Sequence, residues 1–350
     1  MHISIADLAG GAADPPLLGA DGAVRDPLVV VDLAPAAPEV VERAARRARK
    51  CDRILVGVGQ GDPELTRSLD LTVGPGGCET VAAADLGGLR EAAARNPQAS
   101  LMLRDVLRAT EGLPVDAALD VESYAYSTLL GGAEFVRWLS ARGPRPLPPE
   151  SGEPVLVARD GDRLSVTLNR PERRNAFGRE LRDALVDALT VAAADEEVTV
   201  VLRGAGPAFC SGGDLDEFGT APDLATAHLV RTRGGAGRLI DRLSGRIEVR
   251  VHGPCVGAGI ELPAFAGRVA ARPDATFRLP EVSMGLIPGA GGTVGIPRRI
   301  GRWRTLYMAL TGVPVDAGTA LAWGLVDEVP TGDGLPDAAE RPNGRGLPRP

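Results

Sequence analysis

Between residues 155 and 204 the apolar and polar positions mark out strand, loop, helix and strand in turn. "RLSVTL" (163–168) alternates apolar and β-branched residues with polar ones, which predicts a strand. "PERRNAFG" predicts a loop. In "RELRDALVDALTVAAA" the residues Leu181, Ala184, Leu185, Ala188, Leu189 and Ala192 recur at helical spacing on one face. "VTVVLRG" (198–204) is a nearly unbroken apolar run, suited to a strand covered on both sides. The pattern is that of an α/β fold.

The same beat runs more weakly through the first part. "PLVVVDL" (27–33) predicts a strand, "PEVVERAARRARK" (38–50) a helix opened by proline, and "RILVGVGQG" (53–61) a strand and turn. "VVVDLAP…DRILVGVGQGDP" echoes "LSVTLNRPE…VTVVLRGAGP", which raises an internal repeat. Residues 85–141 predict helix, with Ala118, Val121, Ala125, Leu129, Gly132, Val136 and Leu139 spaced by three or four. Five prolines in "RGPRPLPPESGEP" forbid helix and disfavour a central strand. They divide the chain into an N-terminal part (1–142), a linker (143–154) and a second part (155–330). The polar tail 331–350 is expected to be disordered.

Composition narrows the function classes. Apolar residues make up 44% of 350, enough for a packed core, while aromatics are only 3%, too few for stacking on bases. The net charge is −7 without a basic stripe, which argues against nucleic acid and anionic membrane as partners. No segment reaches the roughly 18 consecutive apolar residues of a membrane span. The N-terminus "MHISIADLAGGAAD" lacks the basic and apolar regions of a signal peptide, so a cytoplasmic location is expected. The cysteines Cys51, Cys78, Cys210 and Cys255 are scattered, and neither a metal site nor a disulfide framework is indicated.

Three Gly-rich motifs carry candidate chemistry. "GAGPAFCSGGDLDEF" (204–218) follows a strand and can present backbone N–H groups to a ligand. In "HGPCVGAGIELPAF" (252–265), Pro263 suits a first helical turn, so Ala258, Gly259 and Glu261 are expected at a helix N-terminus, where free N–H groups favour negative charge. "FRLPEVSMGLIPGAGGT" (277–293) adds a second lone carboxylate, Glu281. Two N–H groups from separate turns could hold a carbonyl oxygen that gains charge, and two glutamates could move protons beside it. That equipment suits enolate chemistry or the addition of water to an activated alkene.

Each motif also has a plainer reading. A lone Gly-rich turn is usually only a turn, and a lone glutamate there is usually a helix N-terminal charge. "GVGQG" (57–61) lacks a full dinucleotide fingerprint and reads as a turn. His252 has no partner constellation and is expected to be structural. Cys210 and Cys255 read as small packing residues, and Asp216 and Glu217 as solvated.

Together, "LNRPERRNAF", "AFCSGGDLDEF", "GPCVGAGIELPAF", "FRLPEVSMGLIPGAGGT" and "ALAWGLVDEV" resemble the crotonase, or enoyl-CoA hydratase/isomerase, superfamily, in family order across roughly residues 155–330. The resemblance implies an α/β crotonase (ClpP-like) ββα spiral core. It implies oxyanion N–H donors at Ser211 and Ala258, and catalytic glutamates at Glu261 and Glu281. The two lie three and 23 residues after Ala258, as in hydratases. Arg173, Asn175, Ala176, Gly212, Gly213, Asp214 and Gly289 would bind or frame the coenzyme A part, with Asp214 stabilising its turn. Coenzyme A is then part of the substrate, an acyl-CoA thioester, and no separate cofactor is expected. A homo-oligomer, trimer or hexamer, is implied. The implied reaction adds water to a 2-enoyl-CoA, with Glu261 as base and Glu281 as acid to Cα, the pair sharing protons. An enoyl-CoA isomerase, a cofactor-free arylacetyl-CoA dioxygenase and a non-catalytic crotonase-like subunit are the alternatives.

Family members continue past "GLVDEV" with helices. Here "LREAAARNPQASLMLRDVLRATEGLPVDAALDVESYAYSTLLGGAEFVRWLSARG" resembles those helices but lies upstream, and "SLDLTVGPG" (68–76) would stand for a degraded "GLVDEV". Residues 27–141 therefore read as a second, truncated crotonase copy whose terminal helices serve the downstream core, much as in a circular permutation. A plain N-terminal interaction domain is the alternative.

Overall fold

The computed structural model describes residues 1–74, 81, 85–143 and 152–330. Cys78, most of the linker, the end of "SLDLTVGPG" and the tail 331–350 lie outside these residues.

The chain opens with β1 (His2–Ser4) and α1 (Ile5–Gly10), a pair the apolar pattern did not reveal. Ser4 and Asp7 form a capping box that starts α1. There follow β2 (Leu28–Leu33), α2 (Pro38–Lys50), β3 (Ile54–Gly59), α3 (Pro63–Ser68) and β4 (Leu71–Val73). The four strands pair in parallel in chain order. β2 is apolar from Leu28 to Val31 because both its faces are covered there, and only Asp32 is exposed. Val29 and Val31 join a cluster with Ile5, Leu8, Ala44 and Ala48 beneath α1 and α2. Leu28 and Val30 face the opposite way, into the main core.

Residues 86–142 form four helices: α4 (Leu86–Arg95), α5 (Pro97–Ala109), α6 (Val115–Leu130) and α7 (Ala133–Arg142). The expected single stripe from Ala118 to Leu139 is interrupted. Gly131 ends α6, Gly132 caps α7, and Val136 is exposed.

The second part begins with the hairpin β5 (Val155–Asp160) and β6 (Arg163–Leu168), then α8 (Arg179–Ala194) and β7 (Thr199–Gly204). After α9 (Leu224–Arg233) and α10 (Gly237–Arg242) come β8 (Ile247–Val251), β9 (Pro254–Val256) and the one-turn α11 (Ala258–Glu261). Then follow β10 (Arg268–Ala271), β11 (Thr276–Arg278), α12 (Gly292–Thr311), β12 (Val315–Asp316) and α13 (Ala317–Trp323). One sheet runs β10-β8-β7-β6-β5, parallel except for β5. A smaller sheet, β12-β11-β9, carries the site-bearing turn after β9.

The main apolar cluster is continuous across both parts of the chain. It joins Leu28, Val56, Leu103 and Phe135 with Val166, Leu185, Ile260, Trp303 and Leu306. α12 carries much of this junction: the Trp303 indole N–H donates to the Leu69 carbonyl at 3.2 Å, and Arg302 donates to the same oxygen at 2.8 Å. Among the described residues no helix is long and apolar enough to cross a membrane.

Candidate active site

Gly257 turns the chain from β9 into α11 with φ 49° and ψ −120°, a conformation open to glycine alone. The space a Cβ would fill is lined by the site itself. An added Cβ would lie 2.6 Å from Glu281 Oε1, 3.5 Å from Glu261 Oε1 and 3.6 Å from the Gly212 Cα. The structure thus brings both expected glutamates to one small space beside the 212–214 turn. Ala258 is the first residue of α11, as expected from Pro263 downstream, and its N–H has no acceptor among the described residues.

The two glutamates differ in their surroundings. Glu261 Oε2 accepts the Ala290 N–H at 2.7 Å and the Gly292 N–H at 2.9 Å. Glu281 opens a 3-10 turn (Glu281–Met284), and its Oε2 is buried without a hydrogen-bond partner among the described residues. Burial pushes Glu281 up to about 8, with the Glu122 charge adding to the effect. Burial also raises Glu261, followed by the charges of Glu281 and Glu122, while its two N–H donors pull the other way.

The expected donor Ser211 is otherwise engaged. Its N–H donates to the Arg174 carbonyl at 2.9 Å. Further along the same turn, Phe177 donates to the Gly212 carbonyl at 2.7 Å and accepts the Asp214 N–H at 3.2 Å. In such a parallel bridge the central residue, Gly213, turns its own N–H away from Phe177. That N–H has no acceptor among the described residues. Sequence spacing marks the turn but not the direction in which each peptide faces.

The residues expected around coenzyme A divide into two groups. Arg173 donates to Asp214 Oδ1 at 2.8 Å and Asp216 Oδ2 at 3.0 Å, and Asp214 Oδ1 also accepts the Asp216 N–H at 3.1 Å. Ala176 closes the adjoining turn, donating to the Arg173 carbonyl. Asn175 is fully buried, and its side chain is spent on the chain itself. It accepts the Arg170 N–H at 2.8 Å and donates to the Ala205, Ala208 and Phe209 carbonyls at 2.9–3.0 Å. It frames the loop, with both its amide oxygen and its NH2 engaged by the chain. Gly289 lies beneath the Tyr126 ring of α6, where an added Cβ would sit 2.4 Å from Tyr126 Cδ2.

Asp216, expected to be solvated, is structural, whereas Glu217 is exposed as expected. Asp216 pairs with Arg142 at 2.6 Å as well as with Arg173, and Glu217 accepts the Arg179 N–H that opens α8. His252 is buried with its Nε2 2.9 Å from the Gly206 carbonyl oxygen. Burial lifts the Cys210 thiol to about 12 and holds Cys255 well above its ordinary value, so both stay protonated as packing residues.

One site residue lay outside every motif. Glu122 of α6 is buried beside the two glutamates, and burial raises it to about 7. Its trace in the sequence is "ESYAYS", where Glu122 and Tyr126, and Ser123 and Ser127, stand four apart as inward-facing polar pairs.

Two carboxylates thus converge beside backbone N–H groups that have no acceptor among the described residues. The enoyl-CoA hydratase/isomerase family profile matches residues 163–341. The 2,3-dehydroadipyl-CoA hydratase of Escherichia coli strain K12 is 37% identical over 176 residues, covering 50% of this chain and 68% of its own. The 1,2-epoxyphenylacetyl-CoA isomerase of the same strain is 35% identical over 184 residues, covering 51% and 70%. A solved enoyl-CoA hydratase from Mycobacterium smegmatis is 34% identical, covers 50% of this chain and 69% of its own, and superposes with a TM-score of 0.47. The chain belongs to the enoyl-CoA hydratase/isomerase family, and its α/β core has the crotonase fold.

Proposed function

We propose that the protein hydrates the 2,3 double bond of an enoyl-CoA thioester. The observation that carries this reading is the convergence of Glu261 and Glu281 on the space over Gly257, beside the free Ala258 N–H. The thioester oxygen would accept hydrogen bonds from the Ala258 and Gly213 N–H groups, with Gly213 taking the part first expected of Ser211. Charge developing on that oxygen is then met by preorganised donors, each worth about 3–4 kcal/mol. One water lies between the carboxylates. Glu261 takes its proton as the hydroxide bonds to Cβ, and Glu281 gives its proton to Cα. Hydrogen bonding suits that division: burial raises both carboxyls, but two N–H donors favour charge on Glu261, while Glu281 Oε2 has none and keeps the shared proton. The related E. coli protein named as a hydratase supports the same chemistry.

Incubation with crotonyl-CoA, following loss of the conjugated enoyl absorbance, tests the reading. Loss in the wild type that disappears in Glu261→Gln and Glu281→Gln supports it. No loss with any enoyl chain length sinks it, and oxygen uptake with an arylacetyl-CoA would move the assignment to a dioxygenase.

A further inference from the structure

The loop 290–293 gives its backbone N–H groups alternately to two carboxylates. Ala290 and Gly292 donate to Glu261 Oε2. Gly291 donates to Glu122 Oε1 at 2.8 Å, and Thr293 donates to Glu122 Oε2 through its N–H at 2.9 Å and its hydroxyl at 2.7 Å. These groups open α12, whose first N–H groups have no partners within the helix. One of the two carboxylates belongs to the site. The other comes from α6, outside the family-matched residues.

We infer that Glu122 is a positioning residue: by holding Gly291 and Thr293 it fixes the loop whose other two N–H groups orient Glu261. The inference rests on the role proposed above for Glu261.

A simple helix cap would not need what surrounds Glu122. Tyr126, one turn along α6, lays its ring on Gly289, so the same helix face clamps both ends of the loop. Behind it, the Arg231 guanidinium of α9 sits 4.6 Å from the Tyr126 ring centroid and donates to the Ser123 and Ser127 hydroxyls. The charged and titratable groups facing Glu122 are therefore Tyr126 on its own helix, Arg231 on α9, Glu261 on α11 and Glu281 on the following turn. None of them supplies a second acceptor for Gly291 or Thr293. A glutamine at 122 has one acceptor oxygen, and its NH2 would face an N–H. At least one donor is then orphaned in the core, and the loop must move to find another acceptor.

The test is Glu122→Gln in the full chain, read in two ways. Amide hydrogen exchange should speed up about tenfold or more at Ala290 and Gly292, the Glu261 donors, with β7 amides unchanged. On crotonyl-CoA, kcat should fall on the order of 100-fold with KM within about twofold, because Glu261 is displaced and binding is not. Faster exchange confined to Gly291 and Thr293, with kcat unchanged, overturns the inference. The exchange arm needs no activity. A wild type inert toward enoyl-CoA with fast exchange at Ala290 and Gly292 in the variant therefore refutes the hydratase reading and leaves the positioning intact. Should Glu122→Gln fail to fold, Thr293→Val removes only the hydroxyl donor. It should lower kcat by about fivefold at unchanged KM, and an unchanged kcat would overturn the inference.

Discussion

Asp216, in the turn beside the site, is shared by Arg142 at the end of α7 and Arg173 in the loop after β6, at 2.6 and 3.0 Å. All three side chains are largely buried, so the ion pairs escape much of the screening that weakens surface pairs. The N-terminal part is tied here to a loop of the second part, as it is at Trp303, through Leu69, and at Glu122.

Expression of residues 150–350 alone should therefore give no soluble, active protein. Removing residues 1–149 strips the N-terminal part of the core from Trp303, Leu306 and neighbouring positions, takes away the Leu69 acceptor of Trp303, and leaves Gly291 and Thr293 without theirs. Size-exclusion chromatography and the crotonyl-CoA assay check this, and a soluble, active product would show that the helices are an independent appendage.

Glu261→Gln and Glu281→Gln should each lower kcat by roughly 10²–10⁴-fold with KM changed little, because general acid–base groups act in the transition state. Steady-state kinetics decide the matter, and a variant that loses affinity instead of kcat would reassign its glutamate to binding.

In the proposed reaction Glu281 gives its proton to Cα and so acts only while protonated; kcat should then decline as pH rises through about 8. The same shift bears on stability. The folded value lies above the ordinary 4.5, so the folded state holds the extra proton between those limits. Stability from this group is complete below 4.5 and is lost as pH rises through about 8. Melting temperatures measured from about pH 5 to 9 should fall, and more shallowly in Glu281→Gln. An equally steep fall in the variant would place the titration elsewhere.

Gly257→Ala should abolish hydration, since its Cβ would press on Glu281 Oε1 and its φ of 49° is strained for any side chain. The strain alone costs roughly 1–3 kcal/mol. Activity equal to wild type in a folded variant would mean that the glutamates do not need the space over this residue.

Asn175→Ala should destabilise the fold by about 3 kcal/mol or more while leaving KM for the thioester nearly unchanged in the protein that folds. Three buried backbone groups and one partly buried one lose their partner together. Denaturant titration and KM measured side by side check this, and a raised KM at unchanged stability would return Asn175 to the binding surface.

Local pattern made the regular elements readable. α8 appears at the predicted residues, and β6 and β7 lie within a residue of their apolar runs, because burial on one or both faces imposes a period on the sequence. The Gly-rich motifs likewise located the turn at Gly257 and the carboxylates beside it. Peptide orientation was not readable: nothing in "FCSGGD" tells that Ser211 donates to Arg174 while Gly213 faces the other way. Nor was long-range pairing. Asp216 looks solvated until α7 delivers Arg142, and Glu122 looks like one more helical glutamate until the fold sets it against a loop 169 residues later.

That separation also sets an order in time. Glu122 leaves the ribosome well before Gly291, by roughly ten to thirty seconds at ordinary synthesis rates. In that interval its carboxylate stands in water and is ionised. Only when α12 is complete can the helix N-terminus close over it, so the desolvation of Glu122 and the assembly of the Glu261 loop are one late event in the folding of the newly made chain.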